Sequence, residues 1–343
     1  MLFNGMKLKG KKLKLVRLLF LFFMAMSLSG CARLIAYQIA TQHTPSVSGN
    51  LSETFKTSRL CSTSSECIRV QRSPDIAVSQ MEFSLTINNK TKVWTFKDSG
   101  RGSTSDGRHL IFIFPGYGTA KAIVAMHQQW LTLMTGADVI VVESADSAEH
   151  FAFGLNAVTP IVSAIEEQKP TKVDLIGISM GSVAAFHIAS KIEGARLHLI
   201  APMTDFHHST LALWNILHRD KVYSSFISKQ NIEDAVAIVY SNAKAEESDI
   251  DIIGKLKQSP LTTYVYTSPA DRVALERDWE LVNSSGITQH SFPNLNHLEM
   301  SSLMDEKLLA RFVSNLLNTD VERSLHTTGV ICESNQKTCG KGS

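Results

Sequence analysis

The sequence predicts an α/β fold in which a mainly parallel central sheet is flanked by helices. From residue 109 onwards, apolar runs of six or seven residues alternate with amphipathic segments of helical length. This alternation is typical of βαβ units, because a parallel strand reaches its neighbour only through a crossover connection. A Gly-x-Ser-x-Gly motif between one such run and the helix after it points the same way. The 343 residues, 44% of them hydrophobic, suffice for one large domain or two modest ones.

The first thirty residues predict an export signal. They contain six basic residues and no acidic one, and an uncharged apolar run, Leu18–Leu28, follows Arg17. Eleven residues span about 16 Å as a helix, whereas a bilayer core needs about 30 Å. The run is therefore too short to cross a membrane and is typical of a signal peptide.

The residues that end this segment, Leu28-Ser29-Gly30-Cys31, resemble the lipobox of bacterial lipoproteins. The resemblance implies that residues 1–30 are removed and that Cys31 is acylated as the first mature residue, anchoring the protein in a membrane. Ala32 stands where an aspartate often retains such proteins at the inner membrane, which favours the outer membrane, facing the periplasm. The alternative is an uncleaved signal anchor that extends through residues 32–40 and is interrupted by Arg33.

The other four cysteines lie in the two flanks of the chain, and an oxidising compartment would allow them to pair. Of the three possible pairings, the local pairs are the simplest. A zinc site is disfavoured, since neither CxxC spacing nor clustered histidines accompany these residues. The cysteines are Cys61, Cys67, Cys332 and Cys339.

The charge balance does not indicate a basic face for nucleic acid, and no Lys/Arg-rich run occurs outside the leader. The formal net charge is +2, but removing the six basic residues of the leader leaves 28 Lys and Arg against 32 Asp and Glu. The sequence also lacks a metal-ligand cluster and a phosphate-binding GxxxxGK[ST] loop, so no metal and no cofactor are predicted.

Composition also suggests the domain boundaries. Residues 31–76 are Ser/Thr-rich and without a sustained period, which predicts a tether, and residues 77–320 form the α/β domain. Residues 321–343 are a polar tail with two cysteines. The domain opens with two strands, Met81–Ile87 and Lys92–Phe96, whose connection is a plausible hairpin turn.

Six further strands follow, with helices expected near residues 119–134, 149–168, 180–192, 274–283 and 299–317. Sixty residues separate the predicted strands Ala195–Ile200 and Leu261–Thr267, far more than a crossover needs. We therefore expect an inserted helical cap at about residues 202–258. The six strands are His109–Phe114, Ala137–Glu143, Lys172–Ile178, Ala195–Ile200, Leu261–Thr267 and Ile287–Phe292.

The motif Gly177–Gly181 (GISMG) supplies the candidate nucleophile. It overlaps the end of a predicted strand and leads directly into an amphipathic helix. In that context a strained strand-to-helix turn exposes the hydroxyl of the serine, Ser179, and the glycines leave room for the turn. The helix N-terminus then favours negative charge as it develops.

A serine nucleophile needs a base, and the base needs a carboxylate to orient it. Asp271 follows the strand Leu261–Thr267, and His297 follows the next strand and precedes the last helix. Both are at carboxyl ends of strands, where catalytic loops gather in open α/β sheets. The chain order is therefore Ser179, Asp271, His297.

These motifs resemble the α/β-hydrolase superfamily, with the correspondence covering roughly residues 80–317. The resemblance implies an oxyanion hole made by the backbone N–H groups of Tyr117 and Met180. The loop Phe114–Gly118 closes the first strand where the superfamily carries its His-Gly loop. Pro115 stands where histidine is common, a departure that leaves a main-chain donor intact.

Other residues compete for these roles. Asp205 occupies an alternative acid position that some superfamily members use. His187 and His290 are expected to pack within a helix and a strand, whereas His207 and His208 open the insertion. Glu299 is expected to be a helix N-terminal charge.

The resemblance implies a serine hydrolase that cleaves an acyl bond, by default a carboxylic ester of a small-molecule or lipid-like substrate. A peptidase or thioesterase of the same fold, or a non-catalytic envelope binding protein, are the alternatives. The sequence leaves the acyl length and the oligomeric state open.

Overall fold

A computed structural model describes residues 30–41, 56–72, 79–87, 90–98, 108–145, 150–222, 224, 227–282, 284–303 and 305–319. The predicted signal peptide before residue 30, the hairpin turn at 88–89 and the polar tail with Cys332 and Cys339 lie outside these residues. None of the described helices combines the length and the hydropathy that crossing a bilayer requires.

The described residues contain ten strands. Eight of them form one sheet, and the other two form a separate antiparallel hairpin. The strands are β1 (Lys56–Cys61), β2 (Cys67–Arg72), β3 (Gln80–Ile87), β4 (Lys90–Lys97), β5 (His109–Phe114), β6 (Asp138–Val142), β7 (Lys172–Ile178), β8 (Arg196–Ile200), β9 (Thr262–Thr267) and β10 (Ile287–Ser291).

The large sheet has the spatial order β1-β2-β6-β5-β7-β8-β9-β10. Its six strands from β6 to β10 are parallel, while β1 and β2 pair antiparallel at one edge. The predicted mainly parallel sheet flanked by helices is therefore confirmed.

Ten helices accompany the strands in the part of the chain described above. They are α1 (residues 30–40), α2 (Lys121–Thr135), α3 (Val158–Gln168), α4 (Gly181–Ala189), α5 (Phe206–His218), α6 (Lys229–Ala243), α7 (Glu247–Ile250), α8 (Ile252–Leu256), α9 (His297–Ser301) and α10 (Glu306–Leu317).

Helices cover both faces of the sheet because each strand of its centre is apolar on both sides. On one face, α2 and α10 pack with the β3–β4 hairpin, and the rings of Phe96 and Trp130 stack with centroids 4.9 Å apart. On the other face, α3, α4 and α8 contribute Ile161, Phe186 and Leu256 to a second core.

The strand order reverses at the carboxyl ends of β5 and β7. The connection from β5 leads to β6 on one side, whereas the connection from β7 leads to β8 on the other. Ligands of open α/β sheets bind at such a reversal of strand order. Ser179 directly follows β7, and the loop Pro115–Gly118 directly follows β5.

The segment inserted between β8 and β9 is helical, consisting of α5 to α8. Three predicted helices differ from the structure. The one expected near residues 149–168 begins at Val158, after a short 3-10 turn at Leu155–Ala157. In the second, the described residues 274–282 contain only a short 3-10 turn, Glu276–Trp279. The last predicted helix is divided into α9 and α10, because the Asp305 side chain accepts from the N–H groups of Lys307 and Leu308 and so starts a new helix.

The predicted tether, residues 31–76, is corrected in two places. Strands β1 and β2 extend the main sheet, with β2 pairing to β6, and α1 packs into an apolar cluster. The β1–β2 hairpin is closed by a Cys61–Cys67 disulfide, as predicted for that pair. Strand β1 escaped detection because it is an edge strand whose residues are mostly exposed, so it carries no apolar alternation.

Candidate active site

Ser179 is held in a left-handed backbone conformation, with φ of +50°, between β7 and α4. Its N–H donates to the carbonyl of Ile200 at 2.9 Å, and its own carbonyl accepts from Ser182 at 3.0 Å and from Met203 at 3.2 Å. These bonds fix a conformation that is rare for a residue with a side chain. The strained turn expected from the motif is therefore present.

The two glycines of the motif allow the turn to pack closely. A Cβ at Gly177 would lie 2.6 Å from the Cα of Ser182. A Cβ at Gly181 would collide with the backbone carbonyl of Phe114, the last residue of β5. A side chain at either position would push Ser179 away from the loop that follows β5.

His297 connects Ser179 to Asp271. Its Nδ1 lies 2.7 Å from Oδ2 of Asp271, and its Nε2 lies 2.9 Å from Oγ of Ser179. Because an ionised carboxylate can only accept, the proton belongs on Nδ1, which leaves the lone pair of Nε2 for the serine hydroxyl. His297 is the first residue of α9, and Asn296 caps that helix in a capping box with Glu299, which is the helix-terminal role predicted for Glu299.

Asp271 is buried, with 3% of its surface exposed, and each of its carboxylate oxygens has a partner. While Oδ2 accepts from His297, Oδ1 accepts from the N–H groups of Val273 and Ala274 at 2.8 and 3.0 Å. Three donors thus fix the orientation of the carboxylate and compensate for its removal from water.

The alternative acid, Asp205, is exposed and caps α5 by accepting from the N–H of His208 at 2.9 Å. His208 in turn contacts the carbonyl of Arg272 through Nε2 at 2.9 Å, and His207 lies 3.6 Å from Glu233. The carboxylate that contacts Nδ1 of His297 is that of Asp271, whereas Asp205 serves as the N-cap of α5.

The other two histidines considered as alternatives, His187 and His290, have structural partners. His187 in α4 contacts the carbonyl of Asp249 at 2.8 Å, and burial lowers its pKa. His290 in β10 lies 2.9 Å from Nδ2 of Asn315, and burial lowers its pKa to about 4. Both are where the sequence predicted packing residues.

The loop after β5 passes directly beside Ser179. A Cβ at Gly116 would lie 3.1 Å from the Cβ of Ser179, and Tyr117 is the next residue. The second predicted donor, Met180, directly follows Ser179 at the N-terminus of α4 and is buried. The two predicted oxyanion donors thus belong to the two segments that meet at the serine.

An apolar cluster borders this site, and sequence reasoning missed one of its members, the helix α1. Ile35 and Ala36 of α1 are each 3% exposed and belong to the same cluster as Met180, Phe153 and Phe206. The spacing of Ala32, Ile35, Ala36 and Ile39 is a helical i, i+3, i+4, i+7 pattern that could have indicated this face.

Within the described ranges, no group of three His, Cys, Asp or Glu side chains is arranged to hold a metal ion.

The sequence matches no protein-family model and no curated protein. Its structure is similar to an esterase of Pyrococcus furiosus in two crystal forms, with 12% identity, 81% of this chain covered in both and TM-scores of 0.51 and 0.50. These alignments cover 97% and 99% of the esterase chain. A membrane phospholipase A, a bacterial virulence factor, aligns at 16% identity over 90% of this chain and 98% of its own, with a TM-score of 0.44. The likeness to the esterase establishes that the chain has the α/β-hydrolase fold.

Proposed function

We propose that the protein is a serine hydrolase that cleaves a carboxylic ester through an acyl-enzyme. The observation that carries the proposal is the position of His297, with its two nitrogens 2.9 Å from Ser179 Oγ and 2.7 Å from Asp271 Oδ2. A nucleophile, a base within reach of its proton and a carboxylate that orients the base are the three groups that acyl transfer requires.

The first half of the reaction follows from these contacts. The Oγ of Ser179 attacks the carbonyl carbon while its proton moves to Nε2 of His297. The negative charge that develops on the carbonyl oxygen accepts hydrogen bonds from the N–H groups of Tyr117 and Met180. The intermediate collapses when the carbon–oxygen bond of the ester breaks, and the departing alcohol takes the proton from His297. Asp271 stabilises the imidazolium throughout and is not itself protonated.

The second half hydrolyses the acyl-enzyme. His297 removes a proton from a water molecule, whose oxygen attacks the acyl carbon. The bond to Ser179 then breaks and the serine oxygen regains its proton from His297, releasing the acid. The same groups therefore serve both halves of the cycle.

An ester is proposed as the bond because the surroundings of the serine are apolar and because the Pyrococcus furiosus esterase shares the fold. Fold by itself does not determine the reaction. We assign acyl selectivity to the inserted helices α5 and α6, which contribute Phe206, Ala235 and Val236 to the apolar cluster beside Met180. These helices lie within residues 202–258, where the sequence predicts a cap.

The proposal is tested by Ser179→Ala, with Ser190→Ala as the matched control. Ser190 is an exposed serine just after α4, so its loss leaves the site untouched. We expect Ser179→Ala to lose about 10⁴- to 10⁶-fold in kcat on an ester panel of varied acyl length, and to lose labelling by a fluorophosphonate. Ser190→Ala should match the wild type in both assays.

Undiminished ester hydrolysis by Ser179→Ala would overturn the mechanism. An amide or a thioester hydrolysed faster than every ester would identify a peptidase or a thioesterase instead. A wild-type protein that neither reacts with the fluorophosphonate nor turns over any substrate would be a binding protein of the same fold.

We further propose that residues 1–30 are removed and that Cys31 is acylated, which would anchor the enzyme at the outer membrane, facing the periplasm. The support is the lipobox resemblance of Leu28–Cys31. Cys31 lies in the first turn of α1, is partly exposed and forms no disulfide. Mass spectrometry of the mature N-terminus should find lipid-modified Cys31, and Cys31→Ser should accumulate as unprocessed precursor. A mature N-terminus at any other residue contradicts the proposal.

A further inference from the structure

Helix α1 has two apolar faces, and the residues that the structure describes cover only one of them. The inner face contributes Ala32, Ile35 and Ala36, each 3% exposed, and it packs against the cluster that includes Met180. On the outer face, Leu34 is 60% exposed and Tyr37 is 65% exposed. Since Leu34 and Tyr37 are three residues apart, they are neighbours on one helical stripe.

The anchor and the proposed oxyanion loop are attached to opposite ends of the same short helix. Cys31 lies in the first turn, and the carbonyl of Ile39, in the last turn, accepts a hydrogen bond of 2.8 Å from the hydroxyl of Tyr117. Eight residues of α-helix correspond to about 12 Å. An acyl chain on Cys31 would therefore hold the site close to the bilayer, because no flexible linker separates them.

We propose that the outer face of α1 contacts the membrane and that the substrates are acyl esters of lipids in the leaflet that anchors Cys31. This inference rests on the ester hydrolysis and on the acylation proposed above. It names the substrate class that those proposals leave open.

The residues of the outer face suit an interface between lipid and water. The leucine side chain inserts among acyl chains, and tyrosine is favoured at headgroup level, where its ring is buried and its hydroxyl stays hydrated. Arg33, exposed on the same helix, can extend its guanidinium to lipid phosphates. The area is small, so we expect α1 to orient the enzyme at the surface while the acylated cysteine provides most of the affinity.

A further large apolar side chain is exposed next to His297 in the sequence. Leu298 directly follows His297 and is 51% exposed. On the proposed lipid substrate, an acyl chain bound near His297 could contact this exposed side chain.

The test uses the full, acylated protein in vesicles of phosphatidylethanolamine and phosphatidylglycerol. Each variant is assayed twice, for fatty acid released from the vesicle lipids and for hydrolysis of soluble p-nitrophenyl butyrate. The test variant is Leu34→Gln with Tyr37→Gln, and the control is Leu281→Gln, whose leucine is 84% exposed outside α1. We expect the test variant to lose about tenfold in lipid hydrolysis, while its rate on the soluble ester and both rates of the control match the wild type.

A second readout does not depend on turnover. In Tyr37→Trp, the added fluorescence should be quenched by lipids brominated on their acyl chains, after subtraction of the wild-type signal. The added fluorescence of Leu281→Trp should not be quenched.

Equal lipid hydrolysis by the test variant and the control, or no quenching in Tyr37→Trp, would overturn the inference. A wild type that hydrolyses the soluble ester and leaves vesicle lipids intact would also overturn it, while the proposed esterase function would stand. A wild type inactive on both substrates would refute the proposed function itself, and the substrate inference with it.

Discussion

The hydroxyl of Tyr117 donates a hydrogen bond of 2.8 Å to the carbonyl of Ile39. The ring of Tyr117 also makes an edge contact with Phe151, at 6.5 Å between centroids. Its side chain thus docks the N-terminal helix, while its backbone belongs to the loop beside Ser179. Any change in how α1 docks is therefore transmitted to that loop.

Tyr117→Phe should loosen α1 and slow catalysis, because it removes this hydrogen bond and keeps the backbone N–H. Loss of one such bond lowers the free energy of local opening by about 1 kcal/mol, which is about fivefold faster hydrogen exchange at the amides of α1. We expect kcat on a soluble ester to fall by about two- to tenfold through misplacement of the loop. Tyr37→Phe is the control, since that ring is exposed. Unchanged exchange in α1 for Tyr117→Phe would show that the bond does not hold the helix.

Asp271→Asn should cost about 10⁴-fold in kcat, because an amide in place of Oδ2 favours the wrong tautomer of His297. Asp205→Asn is the matched comparison. Asparagine is as good an N-cap as aspartate, so this variant should retain both the capping of α5 and nearly full activity. Steady-state kinetics on one ester decides the question. A larger loss in Asp205→Asn than in Asp271→Asn would assign the acid role to Asp205.

His127 should make folding stability depend on pH. Burial lowers its pKa from 6.5 to about 4, so between these values the unfolded chain binds a proton that the native protein does not. The part of the unfolding free energy that comes from keeping His127 neutral is therefore fully present above pH 6.5, and it is lost as the pH falls towards 4. For this group, the free energy of unfolding should decrease by about 2 kcal/mol between pH 7 and pH 5.

Urea denaturation of His127→Gln at the two pH values measures this contribution. The variant should be less stable at pH 7, since Trp130 donates to His127 at 3.1 Å, but it should lose less stability on acidification. The control is His150→Gln, which replaces an exposed histidine by the same residue and is denatured at the same two pH values. Parallel pH profiles for wild type and His127→Gln would contradict the prediction.

Asp174 in β7 should be among the most sensitive positions for stability. Burial alone would raise the pKa of its carboxyl, but hydrogen bonds from His109, His198 and Arg196 hold that pKa well below its usual range. Arg196 donates to both carboxylate oxygens, at 2.7 and 2.8 Å. Because Asp174→Asn leaves the largely buried guanidinium of Arg196 without its fully buried counter-charge, it should cost about 3–5 kcal/mol of unfolding free energy.

Asp138→Asn is the matched control for that cost. Asp138 also contacts two arginines, Arg72 at 2.8 Å and Arg108 at 2.6 Å, but its side chain is partly exposed. Solvent screening should limit the loss to about 1 kcal/mol or less. If urea denaturation shows that the two variants lose the same free energy of unfolding, burial of the Asp174 cluster does not add to its contribution to stability.

The candidate site was predictable because its signals are local. A Gly-x-Ser-x-Gly motif between strand and helix identifies Ser179, and Asp271 and His297 each follow a strand with a clear apolar run. Parallel topology then brings the carboxyl ends of those strands to one edge of the sheet, so the contacts among the three residues follow without knowledge of the packing.

Residues 31–76 were not predictable in the same way. The exposed edge strand β1 carries almost no hydrophobic pattern, and its place beside β2 and β6 depends on pairing with distant residues. In α1, the buried Ile35 belongs to a cluster most of whose other members, such as Phe153, are distant in the sequence. Because the apolar residues of α1 directly follow a signal-like segment, the sequence suggests that they extend the leader and does not indicate that they pack beside the candidate site.

The backbone of Ser179 has one more consequence. A left-handed conformation costs a serine about 1 kcal/mol or more relative to glycine, which adopts it freely. Ser179→Gly would therefore raise the free energy of unfolding while removing the hydroxyl of the proposed nucleophile. Serine at this position therefore lowers the stability of the fold, and the proposed hydrolysis, which needs its hydroxyl, would account for that cost.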